Sequence, residues 1–139
     1  MPNHNAMDDC ESWLKFAKDD LSGAKHLLKG EFFSLTTYHC QQAAEKALKG
    51  YLVFKNQHIS KTHDLTKLIE LCRQFDGDFG RLYDEAKLLN PFATKFRYPT
   101  EFDIPDFTDA KSAIQQAQKI VTFVVKKVSQ PETGQTRLF

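Results

Sequence analysis

Apolar residues recur at helical spacing along most of this chain. They return every three or four positions within five stretches, at about residues 9–29, 34–55, 63–75, 79–90 and 107–128. Such spacing is typical of helices that bury one face. The run IVTFVV in the last stretch could also form a strand, but the sequence has no second strand-like run to pair with it. The pattern therefore predicts an all-α fold, an antiparallel up-and-down four-helix bundle with one additional short helix.

Residues with turn or capping preferences stand where these helices are expected to begin and end. Gly30 can adopt the left-handed conformation that stops the first helix, and Ser34 can cap the start of the second. Thr62 can cap the free amides of the third helix. Asn90 precedes Pro91, and a residue before proline avoids the helical conformation, so the fourth helix is expected to end there.

The two ends of the chain are polar and lack periodicity. We therefore expect a flexible N-terminus at 1–8, the bundle at 9–128 and a flexible C-terminal tail at 129–139. Within the bundle, Phe16 belongs to the apolar stripe of the first helix and Phe75 to that of the third, so both are expected in the core.

The second helix divides into two faces. One carries small and apolar residues, namely Cys40, Ala43, Ala44, Ala47, Leu48, Tyr51 and Phe54. The alanines predict that a neighbouring helix approaches closely. The opposite face carries hydrogen-bonding and charged residues, namely Tyr38, His39, Gln42, Glu45, Lys46 and Lys49. Two interpretations remain open for that face: a binding surface for a phosphate-bearing ligand, or a solvated face with a Glu45–Lys49 pair.

Net charge and cysteine usage narrow the class of protein only slightly. The formal net charge is +1, so nothing in the total requires nucleic acid or an anionic membrane as a partner. The sequence has no apolar run of membrane-spanning length, and its first residues lack the pattern of a secretory signal, so a cytoplasmic protein without a membrane partner is expected. The three cysteines contain no Cys-x-x-Cys pair; we expect buried, reduced thiols, no metal and no cofactor.

Two further regions hold candidate binding residues. His63 stands at the start of the third helix, where free amides attract anions, but Asp64 partly cancels that attraction and Thr62-His63-Asp64 favours simple capping. In the connection before the last helix, Arg97 offers a planar fork for phosphate or carboxylate, Lys95 adds charge and Tyr98 a stacking surface. The same residues could instead tie this connection to the bundle.

Dedicated enzyme signatures are missing from the sequence, which has no Gly-rich phosphate loop, no Gly-x-Ser-x-Gly elbow and no His-Glu-x-x-His pair. Three motifs in order nevertheless resemble those of HEPN domains: YHCQQAAEKALK at 38–49, His-Asp-Leu at 63–65 and Arg-Tyr-Pro at 97–99. The resemblance implies an antiparallel four-helix bundle with a short extra helix, commonly a homodimer. It also implies nucleotide binding and an association with minimal nucleotidyltransferases.

Many HEPN proteins are metal-independent ribonucleases that use an arginine followed, four to six residues later, by a histidine. All four arginines of this chain follow its last histidine, His63. We therefore expect a non-catalytic, dimeric binding module that binds a nucleotide or docks a minimal nucleotidyltransferase partner. A ribonuclease, or the toxin component of a HEPN/nucleotidyltransferase toxin–antitoxin pair, is the disfavoured alternative, and the net charge does not indicate RNA as a ligand.

Overall fold

The five predicted helices are present in the computed structural model of the chain, which describes residues 6–94 and 104–130. They form an all-α bundle, and no strand occurs within those residues. The α-helices are α1 (Ala6–Lys29), α2 (Phe33–Phe54), α3 (Leu65–Arg73), α4 (Tyr83–Leu89) and α5 (Phe107–Ser129). Short 3-10 helices at Gly77–Leu82 and Asn90–Phe92 flank α4.

The second helix is the centre of the bundle, because α2 contacts each of the other four α-helices. The core around it contains fully buried side chains such as Leu48 on α2, Ile69 on α3 and Ile120 on α5. The ring of Phe79 packs between α2 and α5. Its centroid lies 4.4 Å from that of Tyr51 on α2 and 5.0 Å from that of Phe123 on α5. Burial on several sides leaves α2 only a narrow strip for contact with solvent.

Small residues let α1 approach α2 closely, as the alanines predicted. Ala43, Ala44 and Ala47 are completely buried. At Gly50 an added Cβ would lie 3.0 Å from the Cβ of Trp13 on α1, so a larger residue there requires Trp13 to shift by a few tenths of an ångström. Packing at this density makes the seam between α1 and α2 sensitive to added volume.

The prediction that Gly30 supplies the left-handed residue after α1 was wrong. Glu31 takes that conformation, with φ of 65°, and Gly30 has a negative φ. The amide of Phe32 donates to the carbonyl of Leu27 and that of Glu31 to Leu28, the paired bonds of a Schellman motif. The Schellman motif requires the left-handed conformation at residue 31, and Gly30 lies one residue before it.

The predicted caps also need correction. Ser34 is not the N-cap of α2, since the helix begins at Phe33 and lacks a side-chain cap. On α3 the cap is Asp64 rather than Thr62, whose hydroxyl accepts from the amide of Asp64 instead. Asn90 is helical, with φ of −52° and ψ of −40°, because Pro91 fits the first turn of the 3-10 helix that follows.

Two aromatic residues predicted in the core are largely exposed. Phe16 is 55% exposed, because α1 packs against α2 and α5 and neither covers this side of the helix. Phe75 is 42% exposed, because α3 ends at Arg73 and the chain leaves the helical stripe before reaching it. A periodic pattern extended beyond the true end of a helix therefore overestimates the core.

The three cysteines are free and buried, as their positions beside the apolar stripes indicated. Burial raises the pKa of the Cys10 thiol to about 11 and that of Cys40 to about 12, and it raises the pKa of Cys72 as well. These thiols act as small apolar groups in the core. None of the helices within the described ranges combines the length and the apolar character that a membrane span needs.

Replacing Glu31 with glycine should stabilise the protein by roughly 0.5–1 kcal/mol, because glycine adopts a positive φ without steric cost while losing more freedom on folding. Urea denaturation measures the change. Glu31→Ala is the matched control, since it removes the same side chain but keeps the Cβ, and it should give no gain. Equal stabilisation by both variants would mean that the side chain, not the backbone, is responsible.

Candidate functional site

Two carboxylates organise the polar face of α2, one from α2 itself and one from α1. Each carboxylate binds one lysine and one histidine. We call the first group the Glu45 cluster, made of Glu45, Lys49, His63 and Gln41. The second is the Asp20 cluster, made of Asp20, Lys46 and His39.

The Glu45 cluster lies inside the protein. Lys49 Nζ donates to Glu45 Oε2 at 2.9 Å, and both side chains are only 7% exposed. His63 Nδ1 lies 3.0 and 3.1 Å from the two oxygens of Glu45. Gln41, fully buried, donates through Nε2 to Glu45 Oε1 at 3.3 Å. The Glu45–Lys49 pair considered in the sequence is therefore present, but it is buried, which contradicts the interpretation of a solvated face.

The segment between α2 and α3 brings His63 to this carboxylate. After α2 ends at Phe54 the chain returns along the helix, so that His63 meets Glu45 more than two turns before the helix end. Gln41 Nε2 also donates to the backbone carbonyl of His63 at 3.1 Å, which fixes the main chain at this point. The His63 side chain itself remains 68% exposed. The Nδ1 edge of the imidazole ring is thus bound to Glu45, and the rest of the ring is open to solvent.

The residue after His63 anchors α3. The carboxylate of Asp64 accepts from the Thr66 hydroxyl at 2.7 Å and from Asn90 Nδ2 at 2.9 Å. These bonds to Thr66 and Asn90 lower the pKa of Asp64. Asn90 in turn accepts from the amide of Leu65 at 2.8 Å. These bonds hold the start of α3, next to His63, against Asn90 at the end of α4.

The Asp20 cluster bridges α1 and α2. Lys46 Nζ lies 2.6 Å from Asp20 Oδ2, and His39 Nδ1 lies 3.0 Å from Asp20 Oδ1. The Lys46 and His39 side chains are 30% and 32% exposed, whereas Asp20 is 14% exposed. His39 also lines a groove of about 500 Å³ along α1, together with Asp19, Asp20, Ser22, Gly23, His26 and Leu27. This cluster is the more accessible of the two lysine sites.

Two of the remaining predicted residues extend the face. Gln42 Nε2 donates to Gln41 Oε1 at 2.8 Å, which connects the surface to the buried Glu45 cluster. Tyr38 packs edge-on against His39, with ring centroids 5.2 Å apart. Seven of the predicted residues thus lie in or against one of the two clusters, namely Tyr38, His39, Gln42, Glu45, Lys46, Lys49 and His63. Lys95, Arg97 and Tyr98 lie outside the described residues.

The sequence did not identify Asp20 or Gln41 as part of this site. Gln41 lies four residues before Glu45, and that spacing on a helix was a usable signal for a neighbour of the carboxylate. Asp20 comes from a different helix, and nothing in its local sequence indicates which residues of α2 it faces. Among residues 6–94 and 104–130, no group of three or more His, Cys, Asp or Glu side chains could hold a metal ion.

Removing one member of the buried pair should be far more costly than removing both. Glu45→Leu leaves the Lys49 ammonium buried without a carboxylate and should destabilise the protein by about 3–5 kcal/mol. Adding Lys49→Met should recover more than about 1 kcal/mol of that loss, since no unpaired charge remains. A double-mutant cycle in guanidinium chloride measures the coupling, and additive losses would contradict a buried pair.

Stability should depend on pH through Asp64. Its pKa in the folded protein lies below the ordinary value of 3.8, so the carboxylate stabilises the fold fully above about pH 4, and this contribution is lost as the pH falls through the folded pKa. Asp64→Ala should cost about 1 kcal/mol at pH 6–7 and progressively less below pH 4. Chemical denaturation across pH tests this. Asp64→Asn, an uncharged cap, should keep a constant advantage over the alanine variant.

Comparison with known proteins agrees with this fold. The sequence model described as HEPN domain matches residues 10–128. The protein TT1696 from Thermus thermophilus is 29% identical with a TM-score of 0.75, covering 85% of this chain and 97% of its own. An archaeal HEPN homologue, ST0689, is 24% identical with a TM-score of 0.71, covering 86% and 98%.

A HEPN domain protein from Thermotoga maritima is 23% identical with a TM-score of 0.73, covering 86% of this chain and 99% of its own. No protein with a curated description matches the sequence at a significant level. The family match runs from Cys10 in α1 to Val128 in α5 and includes both carboxylate clusters. The chain belongs to the HEPN domain family.

Proposed function

We propose that this chain is a non-catalytic HEPN-type binding module that binds a nucleotide through the polar face of α2. The observation that carries the proposal is the pair of carboxylate clusters. His63, His39 and Lys46 reach solvent while each is held by a buried or nearly buried carboxylate. Side chains fixed in advance lose little conformational freedom on binding, which is a property of binding sites rather than of ordinary solvated faces.

The order of arginines and histidines supports a binding role over ribonuclease activity. The family's cleavage motif places a histidine a few residues after an arginine, whereas every arginine of this chain comes after His63. General acid–base cleavage needs a group positioned to exchange a proton with the ribose or phosphate. The motif that would supply this group is absent from the sequence. Intact RNA after incubation with the protein is therefore expected.

The proposal extends to protein partners in the form that the family resemblance implies, a homodimer that docks a minimal nucleotidyltransferase. Exposed apolar side chains near the turn between α1 and α2 support a protein contact: Phe32 is 58% exposed, Ile104 59% and Phe107 51%. Phe32 and Ile104 line one groove and Phe107 packs against Phe33, and an apolar surface of this kind is a common feature of protein interaction sites. Docking is distinct from nucleotide binding, because it does not require the histidines of the polar face.

Calorimetric titration with ATP and GTP should detect binding of at least one nucleotide, and His63→Ala should weaken it about three- to tenfold, the effect of losing one hydrogen bond. His58→Ala is the matched control. His58 is an exposed histidine of the same segment that belongs to neither cluster, so its removal should leave the affinity unchanged. Absence of heat with every nucleotide would reject the proposed ligand. Light scattering on the same samples should give the mass of a dimer.

A further inference from the structure

The buried carboxylates determine the direction of the hydrogen bonds around them. An ionised carboxylate can only accept hydrogen bonds. His63 Nδ1 lies within 3.1 Å of both oxygens of Glu45, and His39 Nδ1 lies 3.0 Å from Asp20 Oδ1. Each Nδ1 must therefore carry the hydrogen. Such a bond decides which ring nitrogen of a neutral histidine is protonated, so in the neutral form of both rings Nε2 retains its lone pair.

The two Nε2 atoms are the parts of these rings that remain for a ligand. Among the residues that the structure describes, neither Nε2 atom has a hydrogen-bond partner. The His63 side chain is 68% exposed, and His39 lines the groove along α1. Both histidines thus present an acceptor outward, although an unconstrained neutral histidine could present a donor instead.

The Glu45 carboxylate also determines which atoms of Gln41 and Gln42 donate and which accept hydrogen bonds. Gln41 Nε2 donates to Glu45 and to the backbone carbonyl of His63, and both of these groups are pure acceptors. The Gln41 amide can therefore have only one orientation, with Oε1 accepting from Gln42 Nε2 at 2.8 Å. Gln42 Oε1 is then a third acceptor, and it has no partner within residues 6–94 and 104–130.

The two lysines of this face already donate to carboxylates. Lys49 is buried and donates to Glu45, so it cannot reach a ligand in solvent. Lys46 is partly exposed but already bonded to Asp20. The donors left on this face are the remaining hydrogens of Lys46, the second amide hydrogen of Gln42 and the hydroxyl of Tyr38, beside the three acceptors. Lys49, His39 and His63 therefore supply no donor to a phosphate, although their residue types suggest one.

We propose that the polar face of α2 recognises hydrogen-bond donors of its ligand, namely the amino and imino groups of a nucleobase or the hydroxyls of a ribose. The nucleoside part of a nucleotide then contacts His39, Gln42 and His63, while its phosphates remain outside this face. Phosphate oxygens are acceptors and cannot bond to His39 Nε2, His63 Nε2 or Gln42 Oε1. This inference rests on the proposed function and specifies which part of the ligand the site binds.

The tautomers can be measured directly by ¹⁵N NMR of histidine at pH 8. His39 and His63 should appear with hydrogen on Nδ1, and His58, which lies outside both clusters, should serve as the unconstrained reference. Glu45→Gln should release His63 from this tautomer and leave His39 unchanged. If that variant fails to fold, Asp20→Asn should release His39 and leave His63 unchanged. Hydrogen on Nε2 of both rings in the unmodified protein would overturn the inference.

Competition against a bound nucleotide tests the ligand class. The matching nucleoside should displace it with an affinity within about tenfold of that of the nucleotide, and pyrophosphate should not displace it. Displacement by pyrophosphate but not by nucleoside would overturn the inference while the proposed function stands. If no nucleotide binds in the first place, the proposed function itself fails, and the expected tautomers would not restore it. The two failures are therefore distinguishable.

Discussion

The buried ion pair between Glu45 and Lys49 constrains the whole arrangement of the bundle. Removing two charges from water is costly, and the cost is offset only where each charge has partners of good geometry. Glu45 has three partners, from Lys49, Gln41 and His63, and one of these comes from outside α2. Satisfying the carboxylate therefore fixes both the rotation of α2 and the path of the segment that leads to α3.

The rotation of α2 also determines which residues on its opposite side are buried. With Glu45 directed toward His63, the alanines and Gly50 are directed toward α1 and the core, where only small residues fit. The Asp20 cluster lies at the edge of the same seam, so its bonds to His39 and Lys46 add a polar contact to an otherwise apolar interface. Packing and polar networks thus favour the same position of α2, which is the consistency expected of a sequence that specifies one structure.

The sequence was sufficient for the architecture because helical periodicity is a local property. The five stretches, the small-residue face of α2 and the buried cysteines could all be predicted from spacing within single helices. The chemistry of the polar face could not be predicted, because it depends on contacts between segments. Burial of Glu45 requires the return of the chain to His63, and the pairing of Lys46 requires a carboxylate from α1. Glu31 illustrates a smaller version of the same limit, since the Schellman motif, not glycine content, selects the left-handed residue.

The two clusters join different parts of the chain to the same helix. Asp20 connects α2 to α1, and Glu45 connects it to the segment before α3. A molecule in contact with His39 and His63 at once would therefore restrain three segments that separate when the bundle opens. Its occupancy would slow unfolding as well as shift the folding equilibrium, so that protection from proteases would rise with ligand concentration. Cellular turnover of the protein would then report how much ligand is present.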